Sequence, residues 1–423
     1  MRVAIIGAGI VGVTTAYELA ADGHEVTVFE RHASVAEEAS FGNAGVVAPG
    51  YVTPWAAPGM PRKVLGQMFG AHAAVRLSWP LSWQEMGWML RWWRACDPDT
   101  YRANRARLQR LAFYSRQRMD ELTACLHLPY DRSAGYLVLL RSEREQAMVQ
   151  PGLAVLREAG VRFEEIDGAA ARAVEPALNP GQALAAAIHL PDDGVGNCRQ
   201  FAMQLKKEAE ALGARFVFQS NVAPLARAEP TTLQVSTGGE PSQAQAFDAV
   251  VMCGGAGSAG LLARAGLKLP LARVYGYSIT AAVAESLDAP RSGLMDERYK
   301  VAISRLGNRL RVAGSAQLGG RADTHHPGAL RTLYQVLQDW FPRGAQLSGP
   351  GLAVQAWKGA RPMLPDGPPV VGASGLPGVW LNLGHGSSGW ALSCGSARLL
   401  ADRIAGRAPA IDPEGLDVSR LRA

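Results

Sequence analysis

The chain has 423 residues, 48% of them hydrophobic and 19% charged, enough apolar sequence to bury the cores of two lobes, which excludes a disordered or fibrous protein. Its 43 Lys and Arg against 37 Asp and Glu leave a formal charge of +6, which favours anionic ligands; the basic residues are scattered, which argues against nucleic acid as a partner. Five cysteines, Cys96, Cys125, Cys198, Cys253 and Cys394, lie far apart without a CxxC pair, so neither a zinc site nor a disulfide framework is expected and the cytoplasm is the expected compartment.

The first element is a short buried strand, Val3 to Ile6, followed by Gly7, Ala8, Gly9, Ile10, Val11 and Gly12 as GxGxxG and then an apolar helix to about Ala21. Gly7 permits the tight turn, Gly9 the approach of a pyrophosphate, and Gly12 the close packing of helix on strand; the helix start offers free N–H groups to phosphate. A secretory signal is also apolar, but glycines at this spacing are foreign to one. A second strand, His24 to Phe29, ends at Glu30, about 20 residues on, where an acid accepts from ribose hydroxyls. Strand, glycines, helix, strand and acid in this order predict a dinucleotide site, and the carboxylate disfavours a 2'-phosphate. The unit alone does not separate FAD from NAD.

Small residues follow from Ala39 to Gly45, permitting close backbone approach to a ligand. Half of the ten tryptophans then fall between Trp79 and Trp93, flanked by Arg76, Arg91 and Arg94. Trp83, Met86, Leu90 and Trp93 share one helical face, and Trp88 with Trp92 extend it. The plainer reading is a helix buried between lobes; the sharper one is an interfacial helix, with Trp at headgroup level and Arg meeting anionic lipid. No stretch reaches the roughly 18 apolar residues of a membrane span, so contact over 76–94 would be peripheral.

Further on, Phe201 to Leu212 reads as an amphipathic helix and Ala214 to Gln219 as a strand. Phe247 to Cys253 reads as a central parallel strand followed by Gly254, Gly255 and Gly257. Leu271 to Ala284, Tyr299 to Ile303 and Arg309 to Ala313 read as strands of a mostly antiparallel sheet. Val379 to Leu383 is the last strand and Gly389 to Ile404 the last helix. His325 and His326 have no partners at ligand spacing, so no metal is expected.

The N-terminal unit, the segment Ser40 to Gly45, and Pro49, Gly50, Tyr51 and Pro54 to Gly59 resemble the bacterial D-amino-acid dehydrogenase (small subunit) family, within the wider D-amino-acid oxidase and glycine oxidase group. WKGARPMLPDGPPVVG at 357–372 and LGHGSSGWALSCG at 383–395 resemble its substrate and flavin motifs. The stretches 76–93 and 141–190 carry no such likeness, which leaves substrate range open. The resemblance implies an α/β fold: a glutathione-reductase-like, Rossmann-like FAD lobe and a second lobe on a mostly antiparallel sheet. The expected division is 1–85, 195–265 and 360–423 for FAD, and 86–194 and 266–359 for substrate.

The same resemblance implies non-covalent FAD and oxidative deamination of a small D-amino acid to a 2-oxo acid and ammonia, with electrons delivered to the respiratory chain, through a membrane quinone if the tryptophan helix lies on the inner face of the membrane. Other small amines (D-hydroxyproline, D-proline, sarcosine, glycine) and a non-catalytic dinucleotide-binding protein remain as alternatives. Expected FAD contacts are Val3, Ile6, Gly7, Ala8, Gly9, Ile10, Val11, Gly12, Glu30, Arg31, Ser40, Asn43, Ala44, Gly45, Gly254, Gly384, His385, Gly386, Ser388 and Gly389. Arg361 matches the position of the carboxylate-binding arginine in the related oxidases, and a guanidinium suits a carboxylate. Tyr275 and Tyr277, at strand spacing, are either a second carboxylate contact or half-buried strand aromatics. His385 belongs to the flavin loop, with a base role open.

Overall fold

The structure is a computed structural model that describes residues 1–67, 73–348 and 354–421. Its first sheet has six strands in the order Val370–Ala373, Val379–Leu383, Ala249–Met252, Arg2–Ile6, Glu25–Phe29 and Arg215–Val217, all parallel except the first. Alternate residues of its strands serve two cores, as a sheet covered on both faces requires. Val3, Ile5, Val26 and Val251 meet the helices Ile10–Ala21, Pro98–Cys125, Cys198–Ala211 and Gly389–Ile404 on one face. Ala4, Ile6, Val250 and Met252 meet the helix Ser258–Ala263 and a small antiparallel sheet over residues 220–246 on the other.

The second sheet runs in the order Gln355–Met363, Ala272–Ala282, Arg309–Gly319, Val301–Leu306, Gly293–Asp296, Arg132–Leu140, Ala186–Gly196 and Val46–Val47. It is mostly antiparallel, with Val75–Ser78 added parallel to Arg309–Gly319. The helix Pro327–Trp340 covers one face, and the buried Trp340 indole donates to Asp296 Oδ2 at 2.7 Å. The helix Glu143–Glu158 covers the strands at the other end.

Long-range packing moves several segments between the expected lobes. Val46–Val47 and Val75–Ser78 join the second sheet although 1–85 is expected in the FAD lobe. Pro98–Cys125 packs on the first lobe, where Arg118 meets the buried carboxylate of Glu18 at 2.7 and 3.0 Å. The boundary at 359/360 falls inside the strand Gln355–Met363.

The tryptophan-rich stretch is a strand followed by the helix Trp83–Ala95, opened by a capping box between Ser82 and Glu85. Its two faces differ. Trp88 is buried and its indole donates to the Met363 carbonyl at 2.9 Å. Trp83 is 86% exposed and Trp93 59%, with Met86 and Leu90 on the same side and Trp79 exposed just before the helix. The reading of a helix wholly buried between lobes is therefore corrected: only the Trp88 side is core. Among the described residues no helix is long and apolar enough to cross a membrane.

Candidate functional site

A cavity of about 1020 Å³ lies where the two sheets meet, at the upper end of the size range of small-molecule sites. Its nucleotide end is built by the first βαβ unit. Gly7 adopts φ +102°, and a Cβ on Gly12 would come within 1.9 Å of the Gly7 carbonyl, so only glycines let the helix start sit this close to the strand end. Glu30 accepts from the Ala8 N–H at 2.7 Å and the His32 N–H at 2.9 Å, which fixes its carboxylate at the cavity wall. The Ile10 N–H, at the helix N-terminus, is capped by Ser40 Oγ at 3.0 Å. Arg311, buried in a strand, donates to the carbonyls of Phe41 and Asn43 and so holds the small-residue loop in place; burial pulls its pKa down to about 10.

Of the expected contacts, Ile6, Gly7, Gly9, Ile10, Val11, Glu30, Arg31, Ser40, Asn43, Ala44, Gly254, Gly384, His385, Gly386, Ser388 and Gly389 come together on the wall. Four of these FAD contacts, and Tyr275 from the expected substrate contacts, do not line it. Val3 and Ala8 are fully buried, Val3 between two neighbouring strands. Gly12 packs on Gly7, while Gly45, at φ +75°, turns the loop away toward Gly196 and Leu306. Those four support the site from behind. Tyr275 belongs to the other end.

That other end is set by three strands. Arg361 of Gln355–Met363 pairs with Val274 across the ladder, and its guanidinium lies over Gly276, where a Cβ would come within 2.3 Å of Nη2. Nη1 donates to the Ser315 carbonyl at 2.9 Å, and the guanidinium sits 5.6 Å from the Trp55 ring centroid. Among the described residues no carboxylate pairs with it, and removal from bulk water pulls its pKa down to about 10, so it stays charged. Trp55 is tied in turn to Ser387 at 3.1 Å. Trp357 is wedged between Gly42 and Gly359, each of whose Cβ positions its ring would fill.

Tyr275 and Tyr277 are corrected here. They pair with Ala360 and Lys358, the residues that alternate with Arg361 and therefore face the opposite side of the sheet. Lys358 stands over both rings, and the Tyr277 hydroxyl donates to Gln317 and accepts from the His326 N–H. Tyr277 still reaches the cavity wall, but its hydroxyl is engaged elsewhere. The strand spacing placed the two rings together; only the register with the neighbouring strand set them apart from Arg361.

The loop Gly384–Ser388 closes the site, with Gly384 and Gly386 at positive φ and the free N–H groups of Gly389–Ile404 directed at it. His385 is buried against Ser396 Oγ at 3.0 Å, and desolvation pushes its pKa down to about 3. Its contact with Ser396 ties the loop to the helix Gly389–Ile404. Three residues went unread in the sequence: Glu297 and Lys300, in the turn before Val301–Leu306, and Ser315, at φ +60°. None was singled out as a site residue: Lys300 falls inside the expected strand Tyr299 to Ile303, and Glu297 and Ser315 lie just beyond the ends of expected strands.

A two-lobed protein with a dinucleotide cradle at one end of a cavity and an unpaired guanidinium at the other is a flavoprotein-type architecture that holds cofactor and substrate in one space. Residues 2–403 match the model of the FAD dependent oxidoreductase family, and the chain belongs to that family. It is 42% identical to a D-amino acid dehydrogenase of Cereibacter sphaeroides over 100% of this chain and 96% of that one. A D-amino acid dehydrogenase of Bradyrhizobium diazoefficiens is 40% identical, with 99% of each chain covered. Among solved structures, glycine oxidase from Geobacillus kaustophilus superposes with a TM-score of 0.76 at 23% identity over 99% of both chains, and L-proline dehydrogenase from P. horikoshii with 0.73 at 18%, covering 100% of this chain and 97% of that one. The cradle of Gly7, Gly9 and Gly12, the carboxylate of Glu30 and the volume of the cavity fit FAD, which is the cofactor of this enzyme.

Proposed function

We propose that the chain catalyses FAD-dependent oxidation of D-amino acids to 2-oxo acids and ammonia. The observation that carries this reading is Arg361, a charged guanidinium facing the cavity with no carboxylate among the described residues to neutralise it. Two parallel N–H donors match a substrate carboxylate. The Ser315 carbonyl and the Trp55 ring hold the guanidinium in one orientation, so the bound acid presents its α-carbon at a fixed place, which is the main demand of hydride transfer. FAD, when bound, accepts the hydride. Trp55 and Trp357 narrow the space around the reacting carbon and exclude water. The start of Gly389–Ile404 offers N–H dipoles where negative charge develops on reduction. The dehydrogenases of Cereibacter and Bradyrhizobium, matched over nearly the whole chain, support the same reading.

The electron acceptor in this proposal is a membrane quinone. Support comes from the helix Trp83–Ala95, which shows solvent an aromatic face with exposed Arg91 and Arg94 beside it. Met60, Lys63 and Val64 of the helix Met60–Gln67 line the cavity, and Arg62 and Leu65 of the same helix are exposed to solvent. Such a face suits the headgroup region of an anionic bilayer.

The test is anaerobic addition of D-alanine and then L-alanine to the yellow holoenzyme. Bleaching by the D isomer alone is expected. Bleaching by glycine, sarcosine or D-proline in its place would move the reading to those amines. A protein that neither retains nor takes up FAD would end it.

A further inference from the structure

An amino acid enters the cavity with an ammonium group, and that group must lose a proton before the α-hydrogen departs as hydride. Few side chains there can receive it. Among the described cavity-lining residues, Glu30, Glu37 and Glu38 belong to the nucleotide end, and Glu297 is the carboxylate that remains. His385 is locked in its neutral contact with Ser396, and the Tyr277 hydroxyl is engaged by Gln317.

Glu297 has two partners. The Tyr51 hydroxyl donates to its Oε2 at 2.7 Å, and Lys300, which lines the cavity where it is open to solvent, pairs with Oε1. Lys300 Nζ also reaches the Tyr51 hydroxyl at 3.4 Å and holds φ +52°, so the turn is bent to bring both charged groups back onto Tyr51. Tyr136, on the strand Arg132–Leu140, is the other titratable group facing the pair, while Arg298 is turned to Glu145. Burial and the neighbouring carboxylate raise the Tyr51 pKa well above 10, so the phenol stays protonated and can pass a proton on only by giving up its own.

We propose that Tyr51 and Glu297 form the proton exit of the cavity, carrying the amine proton of the substrate to solvent beside Lys300. One N–H bond of the ammonium breaks, the phenol exchanges its proton, and one O–H forms on the Glu297 carboxylate before the proton leaves to water; no electrons move. Tyr51 touches the amine, and Glu297 acts through it as a positioning and relay residue. The inference rests on the amine-oxidation reading.

The test is stopped-flow flavin reduction by D-alanine between pH 6 and 10 in the wild type, Glu297→Gln and Tyr51→Phe holoenzymes. In the wild type the rate should be nearly level above neutrality. In both variants it should fall about 10²-fold at pH 7, the general-base range, and climb close to tenfold per pH unit toward the wild-type value. A decrease by the same factor at every pH in Tyr51→Phe, which removes one hydroxyl and keeps the ring, would overturn the relay alone, whether or not Glu297→Gln folds. A wild type that D-alanine leaves yellow at every pH overturns the amine reading and the relay with it.

Discussion

At the scale of single residues, the proposed carboxylate anchor Arg361 lies directly over Gly276. The guanidinium occupies the space of a missing Cβ, so Gly276→Ala should push it aside without altering any charge. Arg361→Lys keeps a cation but loses the paired donors. Both variants should retain FAD and lose kcat/KM by about 10- to 150-fold, the value of a charged hydrogen bond of about 1.5–3 kcal/mol, chiefly through KM. Steady-state kinetics with spectroscopic FAD titration would check this, and unchanged kinetics in both would remove Arg361 from substrate binding. The glycines of the first turn were legible because their role is local: spacing alone implies the turn. Glu297, Lys300 and Ser315 were not, because each matters through a partner on another segment: Glu297 and Lys300 through Tyr51, about 250 residues away, and Ser315 through Arg361 on the adjoining part of the site.

At the scale of elements, the helix Trp83–Ala95 has a core side and a solvent side, and the two should respond differently. Trp88→Ala removes a buried ring and its hydrogen bond and should cost about 3–5 kcal/mol by chemical denaturation. Replacing Trp83 and Trp93 by Ser should change stability by no more than about 0.5 kcal/mol, while lowering recovery on anionic vesicles severalfold. Vesicle sedimentation that is indifferent to both exposed tryptophans would rule out the bilayer reading. Periodicity identified a helix apolar over more than one stripe, but which side meets protein depends on what the other lobe offers. The same holds for Tyr275 and Tyr277: strand alternation set their mutual direction, and pairing with Lys358 and Ala360 set which face that is.

At the scale of the whole molecule, the cavity takes its walls from both sheets, so FAD held there would link the two lobes. Binding to the folded state alone should stabilise it by about 2.7 kcal/mol at free FAD one hundredfold above Kd, with Tm rising steadily as FAD is added. A Tm insensitive to FAD would show that the folded chain does not hold it here. The sequence by itself determined the dinucleotide unit and the alternation of parallel and antiparallel regions, because turn geometry and strand period are properties of a few adjacent residues; Arg361 was marked only by the family resemblance, since its own neighbours read as a surface arginine in a Pro-rich turn. Only the tertiary structure decided which expected contacts support the cradle from behind, which lobe each crossing segment joins, and that Tyr51, Glu297 and Lys300 meet. Those outcomes depend on strand register and long-range packing, which bring distant segments together by burial of surface that no local pattern specifies.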